Sequence, residues 1–397
     1  MAFIAAVVAA MVMSPFGLYH HVPATDLDKP TVRQELTSAF SLVTVRGDAG
    51  STGGGVGEFL KNRANTAAYL YRRGTAVSDE DAAALSRDHP EWLAKDATGK
   101  VVTSNAGGDV IDITNPAVRG WLVDGIARDV RAGAYDGVYL DVLGSFFSAR
   151  FYSARPVIGG APLADVAWRD GSVALIKAVK AATGKPVVAN GFGLQNGKNY
   201  ADHKADSDEL IAAADGVQVE QFVRNGNMAL DKYETPARWR EDVAFIRDVG
   251  KLGKIVLADT RVRDTNDAAA VDAQRMYALA SFLVGAEGPA RFRFAEGSAT
   301  GTVDAAMADT INALGAPLAE ATSDGSAMVR RFAGGLVTVD PAANFASIDI
   351  RGKAGVTSSA PLPKRTSGWA WRVVVGFGVA VGVFLFGLVL LGRRRND

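Results

Sequence analysis

No cysteine occurs among the 397 residues, which excludes disulfide scaffolds, thiolate nucleophiles, Cys-ligated zinc and iron–sulfur clusters together. Histidine is almost as scarce. His20, His21, His89 and His203 form the complete set, and none is spaced as an H-E-x-x-H or H-x-x-x-H pair, so no His-built metal site is expected. An excess of one charge is missing as well. Lys and Arg number 43 against 43 Asp and Glu, without a long basic run, and a chain that bound nucleic acid would need such clustered cations for the phosphates. Phosphate cradles are also absent. The glycines of Gly47 to Gly57 and of Gly191 to Asn199 match neither G-x-G-x-x-G between strand and helix nor a P-loop ending in Lys-Ser or Lys-Thr, and read as loops. At 48% hydrophobic residues the chain is too apolar for disorder.

What is present at the two ends looks membrane-directed. Val373 to Gly392 carries no charge, with Trp369 and Trp371 at one edge and Arg393 to Arg395 at the other. Its roughly 20 residues suffice to cross a hydrocarbon core as a helix with interfacial anchors and a positive stop. Met1 to Met13 is apolar but too short to span; it resembles a signal-peptide core without a basic start, and a buried first strand is the other reading. The expected layout is a signal-like or anchor segment over 1–27, a barrel over 28–320, a small β appendage over 321–352, a linker over 353–368, a transmembrane helix over 369–392 and a basic cytoplasmic tail over 393–397. The barrel would then be extracytoplasmic and held to the lipid bilayer by one pass.

Between these ends, short β-branched runs alternate with amphipathic stretches, the signature of parallel strands joined by crossover helices. Eight runs are expected as strands: Ser41–Arg46, Ala67–Arg72, Asp109–Ile113, Gly137–Val142, Pro186–Asn190, Gly216–Phe222, Lys254–Thr260 and Ala290–Phe294. Eight strands over about 250 residues make an α/β fold of the (β/α)8 TIM-barrel type. Apolar runs separated by turn residues from Met328 to Ile350 read as hairpins of the C-terminal β appendage.

Chemistry in such a barrel sits at the C-terminal ends of the strands. Alternation along Gly137–Val142 sends Val138 and Leu140 outward and Tyr139 and Asp141 into the lumen; along Gly216–Phe222 it sends Val217 and Val219 outward and Gln218 and Glu220 inward. Two carboxylates facing one mouth, on the fourth and sixth strands, are the equipment of glycoside hydrolysis: one protonates the leaving oxygen, the other attacks the anomeric carbon or activates water. Asp141 is read as nucleophile or base and Glu220 as general acid. Tyr71, Arg72, Trp92, Asp112, Tyr139, Asn190, Phe222, Asp259 and Arg293 are the candidate substrate-binding groups, with aromatic faces for stacking and polar groups for hydroxyls. Asp112 could equally cap the helix that starts at Pro116, and Arg293 could simply neutralise an acid.

The chain also resembles a known family. His89-Pro90-Glu91-Trp92-Leu93, Asp96-Ala97-Thr98-Gly99-Lys100, Asp112-Ile113-Thr114-Asn115-Pro116 with Trp121, and Tyr135-Asp136-Gly137-Val138-Tyr139-Leu140-Asp141 are similar to the hypothetical glycoside hydrolase-like family fifteen and its relatives, which include polygalactosaminidase-like barrels. Ala189-Asn190-Gly191, Val219-Glu220 and Arg330 to Val337 extend the likeness, which covers roughly 30–350. It implies a barrel that hydrolyses glycans, with an Asp on strand four and a Glu on strand six, here Asp141 and Glu220. Val142-Leu143-Gly144 departs from the pattern after Asp141. The function expected is a membrane-anchored glycosidase of a surface or secreted polysaccharide, needing no cofactor or metal. The alternative is a catalytically silent, glycan-binding barrel in a surface-polymer assembly.

Overall fold

The computed structural model describes residues 14–46, 54–105, 107–144, 147, 151–192, 204–296, 305–352 and 356–359. Eight parallel strands, β1 (Gly17–Pro23), β2 (Leu42–Arg46), β3 (Ala67–Arg73), β4 (Gly137–Asp141), β5 (Val187–Ala189), β6 (Gly216–Glu220), β7 (Ile255–Val262) and β8 (Ala290–Glu296), close into a barrel in chain order. The expected TIM-type architecture is therefore present, but one strand differs from the expectation. Asp109–Ile113 is not a barrel strand: only Asp109–Val110 is extended, and it pairs antiparallel with Ala76–Val77 outside the barrel. The missing member is β1, which pairs with β2 and β8 and lies inside the stretch read as a signal-like segment.

Each strand is buried on both faces, and the two faces pack differently. Tyr19, Leu42, Tyr69, Tyr139, Val188 and Leu257 form a separate cluster that fills the lumen. Leu18, Val43, Leu70, Val138, Leu140, Val217 and Val219 join the larger core between strands and helices. The alternation expected for β4 and β6 is thus the one found.

Local signals place the helices. Helix α1 (Pro30–Ala39) precedes β2, α2 (Gly54–Asn62) precedes β3, and α3 (Asp79–Asp88) follows the Ala76–Val77 bridge. For α4 (Pro116–Gly133), Asn115 is the N-cap and accepts from the Ala117 amide, with proline in the first turn. Helices α5 (Asp165–Thr183) and α6 (Lys204–Ala213) flank β5. Thr235 caps α7 (Pro236–Lys251) and Asp267 caps α8 (Ala268–Gly285) in the same way. A helix α9 (Ala305–Leu314) then leads to a five-stranded antiparallel sheet of β9 (Thr322–Asp324), β10 (Ala327–Phe332), β11 (Gly335–Asp340), β12 (Phe345–Ile350) and β13 (Val356–Ser359). This is the expected appendage, extended by β13 into the stretch read as linker.

The sheet packs on α8, which is buried along its C-terminal half from Tyr277 to Gly285. Arg330 on β10 fastens it: its guanidinium, 1% exposed, donates to the carbonyls of Leu283 (3.1 Å) and Ala286 at the end of α8 and to Glu287 (2.7 Å). Cations at a helix C-terminus satisfy carbonyls that the helix itself leaves unpaired. Among the described residues no helix is long and apolar enough to cross a membrane. The apolar runs Met1 to Met13 and Val373 to Gly392 lie outside the described residues.

Candidate active site

The strand ends converge on one amide. Asn190, directly after β5, donates through Nδ2 to Asp141 Oδ1 at 2.8 Å and to Glu220 Oε1 at 3.0 Å. Its own Oδ1 accepts from the Gly191 amide at 2.8 Å, which fixes the direction in which the NH2 points. Straight hydrogen bonds along the two N–H directions, about 120° apart, would put the two acceptor oxygens about 5 Å from each other. Asp141 also accepts from the Tyr71 hydroxyl and from the Val142 amide at 2.8 Å. Three donors thus hold one carboxylate in place.

Glu220 sits in a different electrostatic setting. Burial, then the charges of Asp141 and Asp259, raise its pKa from 4.5 to about 7, while Arg261 and the Asn190 hydrogen bond work in the opposite direction. Desolvation and like charges both penalise the ionised form. A carboxyl that keeps its proton near neutrality can act as an acid, the role expected for Glu220.

Asp259 is in register with Glu220 on one side and Arg293 on the other. It pairs with Arg293 at 2.9 Å and with Arg261 at 3.5 Å, and both Asp259 and Arg293 are buried. These two candidate binding groups are therefore a buried ion pair beside Glu220; Arg293 neutralises Asp259. Below them lies a polar layer in which the sequence reading placed Tyr139 and Gln218 but not His21 or Thr44. His21 Nδ1 meets Thr44 Oγ1 at 2.5 Å, and its Nε2 lies 3.0 Å from Gln218 Oε1, which also accepts from the Tyr139 hydroxyl. Burial drives the His21 pKa well below 6.5, so the ring is neutral. Gln218 Oε1 only accepts, so Nε2 carries the proton and Nδ1 accepts from Thr44. The alternation in Gly17–Pro23, with Tyr19 and His21 on one side and Leu18, His20 and Val22 on the other, was the available signal.

Backbone strain concentrates beside both carboxylates. Val142 (φ 54°), Gln221 (φ 59°) and Val223 (φ 49°) occupy the left-handed region, which is costly for β-branched valine. Buried Asp242 on α7 holds the Val223 amide at 2.9 Å. Strained residues persist where surroundings enforce them, and commonly at functional sites.

The remaining candidates divide. Tyr71 and Tyr139 line the lumen and stack on each other at 5.3 Å. Arg72 points the other way, toward α4, where it pairs with Asp129. Asp112 is not at a barrel strand end; its Oδ1 accepts from the Thr114 amide (2.9 Å) and hydroxyl (2.5 Å), and Asn115 does the capping instead. Phe222 is fully buried in the core outside the lumen, so it offers no face to a sugar. Trp92 lies in the excursion between α3 and α4, stacked on His89 at 3.9 Å and 6.4 Å from Trp121. Among the described residues no group of three or more His, Asp or Glu is arranged to hold a metal ion.

Comparison with known proteins agrees with this architecture. No curated protein matches the chain. Among solved structures, an α-amylase from Malbranchea cinnamomea aligns with a TM-score of 0.50 at 12% identity over 88% of this chain and 95% of that one. A GH31 dextranase from Flavobacterium johnsoniae, complexed with glucose, aligns with a TM-score of 0.52 at 12% identity over 77% of this chain, which spans 40% of the dextranase. At such identities the likeness is one of fold. The family model described as "Hypothetical glycosyl hydrolase family 15" matches residues 62–336, which take in β3 to β8 with Asp141, Asn190 and Glu220, and the chain belongs to that family of glycosidases.

Proposed function

We propose that the chain is a retaining glycosidase in which Asp141 is the nucleophile and Glu220 the acid/base. The observation that carries this is the single Asn190 amide shared by both carboxylates. A shared amide of this reach supports the roughly 5–5.5 Å separation of a retaining pair over the roughly 6.5–9.5 Å of an inverting pair, which leaves room for a water between carboxylate and sugar. In the first step the Glu220 proton passes to the glycosidic oxygen as an Asp141 oxygen bonds to the anomeric carbon, and the leaving sugar departs as an alcohol. Water then attacks that carbon, gives its proton to the Glu220 carboxylate and frees Asp141. Tyr71 and Asn190 hold the nucleophile in line, and neither step calls on a cofactor.

The substrate we infer is a surface or secreted polysaccharide. The apolar run Val373 to Gly392 with its arginine tail supports a single-pass anchor, the barrel outside the membrane and the tail in the cytoplasm. Reducing-end release by the full-length chain from a panel of bacterial polysaccharides, galactosaminoglycans included, tests the reading. Release is expected for the wild type and a loss of at least about 10³-fold for both Asp141→Asn and Glu220→Gln, with thermal unfolding unchanged in kind. Glycan binding without release by the wild type would instead make the barrel a silent glycan-binding module.

A further inference from the structure

A cavity of about 320 Å³ lies between the ends of β2 and β3 and helix α4; neither Asp141 nor Glu220 lines it, and Tyr71 is the lining residue that also touches Asp141. The Tyr71 hydroxyl holds Asp141, while the Arg46 guanidinium stands 5.5 Å over its ring. Arg46 ends β2 in register with Tyr71, is exposed, and among the described residues pairs with no carboxylate. Arg73 and the half-buried Trp121 continue the same wall. The acids there are differently placed. Asp129 is engaged by Arg72, Asp81 accepts from the Ser78 hydroxyl at 3.1 Å, and Asp124 is on the exposed face of α4.

A cation above an aromatic face, a second arginine beside it and an indole beyond suit a sugar ring that carries negative charge. The planar guanidinium matches an oxyanion in two-point contact, and the Trp121 indole takes the apolar side of the ring. We propose that this cavity is a subsite for a sugar bearing an oxyanion substituent, bound by Arg46. That the sugar belongs to the hydrolysed glycan rests on the glycosidase reading; the binding stands without it.

The test uses the full-length Glu220→Gln chain and calorimetric affinities for oligosaccharides of polygalacturonate, alginate and hyaluronan, each beside its carboxyl-reduced neutral form, and for a phosphate-substituted glycan. The acidic form of at least one pair, or the phosphorylated glycan, should bind about tenfold tighter or better than its neutral counterpart. The preference should weaken with salt and shrink to about twofold when Arg46→Gln is added, with Arg46→Lys in between. A uronate-only or a phosphate-only preference identifies the source of the charge. Equal affinity throughout, or a preference that survives Arg46→Gln in a chain that unfolds normally, overturns the subsite. Turnover by the wild type is read in parallel. Acid-selective binding without hydrolysis would remove the hydrolase and leave the subsite, whereas hydrolysis without acid selectivity would do the reverse.

Discussion

Asn190 is the residue on which the site turns, because one NH2 group sets both the separation and the aim of the two carboxylates. Asp259 acts at the next remove. Its charge is among the causes that raise Glu220 to about 7, so activity should fall as pH rises through about 7, where the acid loses its proton. In Asp259→Asn a like charge is lost and Arg293 is left unpaired; both changes favour ionised Glu220, and the basic limb of the kcat/KM profile should move to lower pH. A limb that stays in place would show that Asp259 does not set the acid. Strand alternation put Asp141 and Glu220 in the lumen from the sequence, whereas Tyr71 and Asn190 were chosen only as polar or aromatic groups at strand ends. Arg72, one residue from Tyr71, faces α4 instead of the lumen and lines the cavity on that side. Phe222 and Trp92 were chosen for their aromatic rings, and residue type says nothing about which surface a ring covers.

At the scale of elements, the turns leaving the strands carry the constraint. Gly191 follows Asn190 at φ +111°, and a Cβ there would lie 2.3 Å from the Leu143 carbonyl, in the segment that leaves Asp141. Gly191→Ala should therefore separate the two turns, costing roughly 1–3 kcal/mol in denaturant unfolding and lowering kcat more than it raises KM. Wild-type kinetics in this variant would mean that the turns do not position the pair. Helix starts were readable from Asn115, Thr235 and Asp267, each an N-cap by local chemistry. The strands were less so. Asp109–Ile113 has strand-like composition, and Val110, Ile111 and Ile113 are buried, yet its partner is a two-residue bridge; composition reports burial, whereas pairing is decided by tertiary context. Gly17–Pro23 hid behind the apolar run that precedes it, although its alternation was complete.

At the scale of the molecule, the C-terminal sheet and the barrel share α8, and Arg330 is the fastening between them. Truncating it in Arg330→Ala leaves Glu287 and the final α8 carbonyls without their buried donor, a loss of about 3 kcal/mol or more in unfolding free energy. Unfolding should remain one transition, because the same helix is the wall of both parts; two transitions would show the sheet to be an independent module. The central claim concerns how far apart two oxygens stand, and the stereochemistry of hydrolysis reports it most directly. Proton NMR of the sugar released in the first turnovers, recorded before mutarotation, should show the anomer of the substrate bond. The opposite anomer as first product would place a water between Asp141 and the sugar and contradict the Asn190-bridged pair as nucleophile and acid.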